Sequence, residues 1–217
     1  MIHDERNVPV EKVCSFCDSP ISGDFVILAQ AFACAFLFME GGFDMELWDA
    51  YNSEGVATGE TLVRDEAIPA GRYHLVCEVL VRHRDGSYLA MRRDRNKKGF
   101  PGWWETTAGG SALRGEDMWQ CACRELKEET GLASGDFHQI GYEVWPGTHC
   151  IYSSFLCTVD CDKNTVTLQE GETEDYRWLS EAEFAAFVSS GKMIPAQKRR
   201  LGNWLREMGY LSAEVAG

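Results

Sequence analysis

From Met45 onward, apolar and polar positions alternate in short segments broken by turn residues, and only later settle into a helical period. MELWDAYN (residues 45–52) and VATGETL (56–62), separated by SEG and punctuated by Gly55 and Gly59, read as strand, turn and strand. HLVCEVLVRH (74–83) is a strand rich in Val and Leu. It runs into RDGS, whose Asp85-Gly86 suits a tight hairpin, and then into YLAMRR. After the loop DRNKKGFPG comes WWETTAGG, a short strand ending in glycines. Residues 116–130 form the best helix, with good helix formers, acids in the first turn and Gly131 placed to cap the C-terminus. HQIGYEVW, CIYSSFLCTV, TVTLQ and DYRWLS read as further strands. EAEFAAFVSS and PAQKRRLGNWLREMG close the chain as helices, the second with Pro195 in its first turn. Strands around a central helix, with more helices at the end, predict an α/β (α+β) sandwich rather than a bundle or a barrel. No internal repeat or low-complexity linker interrupts the pattern.

The pattern before Met45 differs. FVILAQAFACAFLFM (25–39) is fifteen residues broken only by Gln30, short of the ~17–25 that span a bilayer. The charged residues before it are mainly acidic, Asp4, Glu5, Glu11, Asp18 and Asp24 against Arg6 and Lys12, which argues against a signal peptide. The expectation is a buried or interfacial helix, or a true start at Met45 with residues 1–44 a mis-assigned leader. The domains are therefore 1–44 as an N-terminal extension and 45–217 as the main domain. Cys14 and Cys17 form a CSFC pair with no second pair at zinc-knuckle spacing, so zinc is not expected.

Composition narrows the function. With 217 residues, 45% of them hydrophobic, the chain can build one substantial core. A net charge of −13 excludes a surface that embraces DNA, RNA or acidic membrane. An anionic substrate would then need metal ions or a local basic patch. MRRDRNKKGF supplies the one dense patch, with Arg92, Arg93, Arg95, Lys97 and Lys98. Nine cysteines without an even framework fit a reduced, cytoplasmic protein.

Glu125, Glu128 and Glu129 stand at i, i+3 and i+4, on one helical face. Beside them Trp119, Ala122, Cys123 and Leu126 form an apolar stripe that would pin the helix to a sheet. Such carboxylates repel, and their pKa values rise unless a cation intervenes. Hard divalent ions take oxygen ligands of this kind. From Gly110 the chain reads GSALRGEDMWQCACRELKEETGL. It satisfies G-x5-E-x7-R-E-U-x-E-E-x-G-U, with U aliphatic, at Gly110, Glu116, Arg124, Glu125, Leu126, Glu128, Glu129, Gly131 and Leu132.

That segment resembles the Nudix box. The resemblance implies a Nudix-type α/β/α sandwich with a mixed central sheet and a Mg²⁺- or Mn²⁺-dependent hydrolase of diphosphates linked to another group X. It implies Glu125, Glu128 and Glu129 as metal ligands, joined by the carbonyl of Gly109, with Arg124 and Glu116 orienting them. Glu125 is the first candidate for general base. Glu172 and Glu174 are the loop candidates, ahead of Glu170. Arg92 and Arg93 are candidates for outer phosphates and Trp104, or Trp103, for stacking on a base. The expected substrate is a small nucleoside-diphosphate-linked metabolite; neither a nucleic-acid polymer nor a membrane span is expected, and a homodimer is left open.

Residues 45–110 resemble the Nudix branch that includes isopentenyl-diphosphate isomerase. The isomerases need a cysteine and, two residues on, a histidine, where this chain has Gly109 and Ser111. Without the thiol that mechanism lacks its acid–base group, and Cys77, Cys121 and Cys123 read as core residues. Isomerase is therefore the alternative enzyme, and a non-catalytic Nudix ligand sensor the alternative of another class; sensors usually lose a box glutamate, and here all are present.

Overall fold

The computed structural model describes residues 45–212. The CSFC pair, the apolar run at 25–39 and the whole 1–44 extension lie outside the described residues.

Two strands, β1 (Leu47–Tyr51) and β2 (Ala57–Val63), form a separate antiparallel hairpin. The main sheet is built on β3 (His74–His83), which has a one-charge interruption, Glu78, in an otherwise apolar centre. Through the Asp85-Gly86 hairpin β3 leads to β4 (Tyr88–Arg93). The expected single strand WWETTAGG is two pieces, β5 (Trp104–Glu105) on β4 and β6 (Thr107–Ser111) on β3. The chain changes partner at Thr106, so one sequence run serves two neighbours. β7 (Phe137–Trp145) pairs antiparallel with β8 (Cys150–Val159), and β8 runs parallel to β3 over its full length. β9 (Thr173–Leu179) pairs antiparallel with β4. One parallel pairing among antiparallel ones makes the sheet mixed.

Both faces of this sheet are covered, as expected for a three-layer sandwich. Leu75, Cys77, Val79 and Val81 of β3 share one core with α1 (Met118–Thr130), through Ala122 and Leu126. The opposite face carries Leu80, Tyr88 and Ala90. It packs on α2 (Glu181–Ser189) and, past α3 (Pro195–Arg200), on α4 (Gly202–Glu207). Further along that second face, Val76, Glu78 and Tyr152 meet no core and border a cleft instead.

Three further expectations need correction. TVTLQ is no strand: a 3-10 turn at Lys163–Thr165 leads into extended chain that pairs with no strand. Alternation alone cannot supply a partner, and β9 already occupies the edge of β4. The last helix divides at Leu201 into α3 and α4; Leu201 is fully buried and Gly202 follows, a weak helix former. The box helix begins at Met118, with no acid in its first turn. Asp117 caps it instead, accepting from Trp119 and Gln120 N–H groups, while Gln120 returns a bond to the Asp117 N–H.

Candidate active site

Two glycines of β6 fix the floor. A side chain at Gly109 would strike the Cys77 carbonyl at 2.1 Å, and one at Gly110 would strike the Glu125 carboxylate at 2.4 Å. Glu125 and Glu129, one turn apart on α1, point to this floor and are buried; Glu128 is at the more exposed rim. Gly131, at φ 70°, ends the helix in the left-handed conformation and donates to the Lys127 carbonyl. Leu126 and Leu132 are buried anchors on either side of that cap.

Arg124 holds the acids together. Its Nη1 donates to Glu125 at 2.8 Å and to Glu128 at 3.0 Å. Its Nε and Nη2 grip both oxygens of Glu116 at 2.7 and 2.9 Å, and Nη2 also donates to the Ser111 carbonyl. Glu116 in turn accepts from the Leu113 N–H, which fixes the loop before the helix. The β1–β2 hairpin braces that loop from outside, since Arg114 N–H donates to the Leu47 carbonyl and Gly115 N–H to Asp49.

Glu129 has no ion pair among the described residues. Burial, then the charges of Glu105 and Glu125, push its carboxyl well above the ordinary range, against a backbone hydrogen bond from Gly109. Burial also raises Glu125, and Arg124 opposes the rise. Two proton-hungry carboxyls side by side are what a cation would relieve. Among the described residues no three acidic, histidine or cysteine side chains already converge at ligand distance. Arg124 occupies the shared side of Glu125 and Glu128. The donor set of Glu125, Glu128, Glu129 and the Gly109 carbonyl is all oxygen, which suits Mg²⁺ or Mn²⁺ and not a thiophilic metal.

Two cavities meet here. The acidic one, about 280 Å³, is lined by Gly109, Gly110, Arg124 and the three box glutamates, with Arg64, Lys97 and Glu172 opposite. The side cavity, about 320 Å³, opens between the sheet and α3, and Lys97, Gly109, Glu129 and Glu172 line both. Its lining includes Glu78, buried and bonded by Arg200 and Ser154, and Glu105, held by Arg93 at 2.9 and 3.0 Å and by Gln197.

The chain matches the NUDIX domain over residues 72–201. It belongs to the Nudix family. A Nudix hydrolase of Listeria monocytogenes is 36% identical over 154 residues, covering 70% of this chain and 89% of that one. The NAD-capped RNA hydrolase NudC of Pseudomonas aeruginosa is 33% identical over 102 residues, covering 47% of this chain and 34% of that one. The crystal structure of DR0079 from Deinococcus radiodurans has the same fold, with a TM-score of 0.54 at 19% identity over 68% of this chain and 91% of that one.

The Nudix fold thus brings together Gly109, Gly110, Arg124, Glu125, Glu128, Glu129 and Glu172, and leaves other candidates aside. Glu174 is bound to Arg92 at 2.8 Å and to Arg95 at 3.3 Å, and lines neither cavity. Arg92 faces that acid and Asp175. Arg93 lines the side cavity but is committed to Glu105. Trp104 lies against Arg177 at 4.3 Å and, with Trp103, edges a separate apolar hollow. Glu170 is exposed in a turn and lines neither cavity. Sequence reasoning passed over Glu78, Tyr152, Gln197 and Arg200. Glu78 could have been found, because one acid inside VCEVLV is an anomaly for a buried strand.

Proposed function

We propose that this Nudix protein is a Mg²⁺- or Mn²⁺-dependent hydrolase of a small nucleoside-diphosphate-linked metabolite; the diphosphate-hydrolase class follows from family membership. The observation that carries the finer reading is the meeting of an all-oxygen acidic cavity with a side cavity at Glu129, Gly109 and Lys97. One holds the diphosphate and the other the group X. A relative named for hydrolysing NAD-capped RNA supports a nucleotide in such a site. A bound divalent ion supplies charge screening for the phosphates and a more acidic water.

The chain does the rest. Glu125, Glu128 and Glu129 hold the ion, Arg124 orients the first two, and Lys97 faces the phosphates. Water adds to phosphorus as the anhydride P–O bond breaks, and its proton passes to a carboxylate. Glu125 and Glu172 line the cavity and are the two candidates to accept it; Glu174 is engaged elsewhere. Among the described residues no cysteine lines either cavity, and Cys77 and Cys121 are wholly buried in the core. The hydrogen bond with Cys121, and then burial, push the Cys77 thiol far up, removing it from acid–base work. That favours hydrolysis over isopentenyl-diphosphate isomerisation, and the complete glutamate set favours catalysis over sensing. Free thiols at Cys77, Cys121, Cys150, Cys157 and Cys161 accord with a reducing, cytoplasmic setting.

The test is an assay with Mg²⁺ and with Mn²⁺ over nucleoside di- and triphosphates, sugar nucleotides, dinucleotides and isopentenyl diphosphate. Metal-dependent cleavage of at least one nucleotide is expected. Conversion of isopentenyl diphosphate alone, or no metal-dependent cleavage, would sink the reading.

A further inference from the structure

Residues 94–102, within the loop between β4 and β5, carry a ring in a costly conformation. Phe100 has φ 52°, in the left-handed region that bulky residues avoid. It is nevertheless 40% exposed, although a structural phenylalanine would be expected to turn inward. The conformation is firmly held. Arg93 Nε donates to the Gly99 carbonyl at 2.9 Å, and Trp103 N–H donates to the Phe100 carbonyl at 3.2 Å. The Trp103 ring, also 40% exposed, meets Phe100 edge-on at 5.2 Å. Gly99 and Gly102 flank the site, so the chain had glycine at hand and still places a phenylalanine at the left-handed position.

The placement of the loop is informative. Lys97 lines both cavities and is paired with Glu172, and Asp94 N–H donates to the Glu172 carbonyl at 2.9 Å. Phe100 lines the side cavity only. One short loop therefore presents a cation where the cavities meet and, three residues on, an aromatic face at the side cavity. At about 320 Å³ that cavity is at the small end of ligand sites.

We propose that Phe100 is the stacking platform for a planar ring in X, and that the 94–102 loop selects nucleoside diphosphates by reading ring and phosphate together. The proposal rests on the nucleoside-diphosphate reading above. Strained backbone of this kind clusters at active sites and ligand clamps, and here it lies beside the cleft around an exposed ring. Base–aromatic stacking is strong enough that its loss weakens binding by about tenfold or more.

The test uses the full chain with Mg²⁺ and uncleavable ligands: the α,β-methylene diphosphates of adenosine and uridine, and methylenediphosphonate as the ring-free counterpart. At least one nucleoside analogue is expected to bind about tenfold or more tightly than methylenediphosphonate. Phe100→Gly should remove that gain, leave methylenediphosphonate unchanged, and leave Tm equal or higher because glycine relieves the left-handed position. Phe100→Tyr should retain the gain. Wild-type affinity for the nucleoside analogues in Phe100→Gly, or equal weakening of both ligand types, would overturn the proposal. So would a wild type that binds methylenediphosphonate as well as either nucleoside. Intact stacking without cleavage of the natural anhydrides would instead count against the hydrolytic reading.

Discussion

Glu129 embodies a conflict between burial and charge. Its folded carboxyl keeps its proton far above the ordinary range, because it is buried beside Glu105 and Glu125. The unfolded chain releases that proton near pH 4.5. Above that pH the folded state binds the extra proton, so the metal-free protein loses stability as pH rises towards the folded pKa. Glu129→Gln mimics the protonated form. We expect its metal-free Tm at pH 8 to exceed the wild type's, with the gap narrowing towards pH 4.5. Mg²⁺ should raise Tm in the wild type and not in the variant, since ligands must be deprotonated to bind. Turnover should fall by about 100-fold or more. An equal Mg²⁺-induced rise in both proteins, read by calorimetry, would remove Glu129 from the ligand set. The shared face of these acids was legible from residue spacing, because i, i+3 and i+4 force it, and the box resemblance implied their role; that Gly110 must clear the Glu125 carboxylate is visible only in the structure. Arg92 and Trp104 were not legible in the same way. Sequence proximity to the site says nothing of which neighbour captures a long side chain, and Glu174, Asp175 and Arg177 do so here.

At the level of elements, β3 announced itself through its apolar run and α1 through its helical period and the Gly131 cap, although α1 starts at Met118 rather than at Glu116. TVTLQ misled because alternation without a free sheet edge makes no strand. The β1–β2 hairpin was read correctly, but its docking could not be. Trp48 of β1 stacks on His74 of β3 at 4.0 Å, with planes 10° apart, and Cys150 of β8 meets His74 Nε2 at 3.1 Å. His74 Nδ1 is buried without a partner. Burial lowers the His74 pKa to about 4, with Glu46 opposing the shift and His149 adding to it. Between pH 6.5 and 4 the unfolded chain takes a proton that the native hairpin interface refuses. Stability therefore falls as pH drops through that window, at about 1.4 kcal/mol per unit and about 3 kcal/mol in all. His74→Phe keeps a ring against Trp48 and abolishes the titration. Its urea midpoints from pH 7 to pH 4 should decline less than the wild type's, and parallel curves would show that His74 is not the group refusing the proton.

Across the described residues as a whole, the sheet has one face closed by α1 and the other only partly closed by the C-terminal helices, and the side cavity is what the partial closure leaves. Burial of Glu78 in the sheet would be costly alone. Arg200 at the end of α3 compensates it with two hydrogen-bonded nitrogens, and Ser154 adds a third bond. The same Arg200 lies over the Tyr152 ring at 4.2 Å, so it seals the joint between α3 and β8. One ion pair thus ties the third layer to the sheet and forms the cavity wall. Removing one partner of a buried pair leaves an uncompensated charge and costs about 3–5 kcal/mol, whereas replacing both with apolar groups is often neutral. Arg200→Met should therefore destabilise the chain by about that amount in urea unfolding, and Glu78→Met/Arg200→Met should recover most of it. The rescued double variant would still have lost the polar wall, so its kcat/KM should fall for nucleoside-linked substrates more than for inorganic pyrophosphate. If the double variant is as unstable as the single one, packing by the Arg200 stem, rather than charge compensation, is what joins the layers.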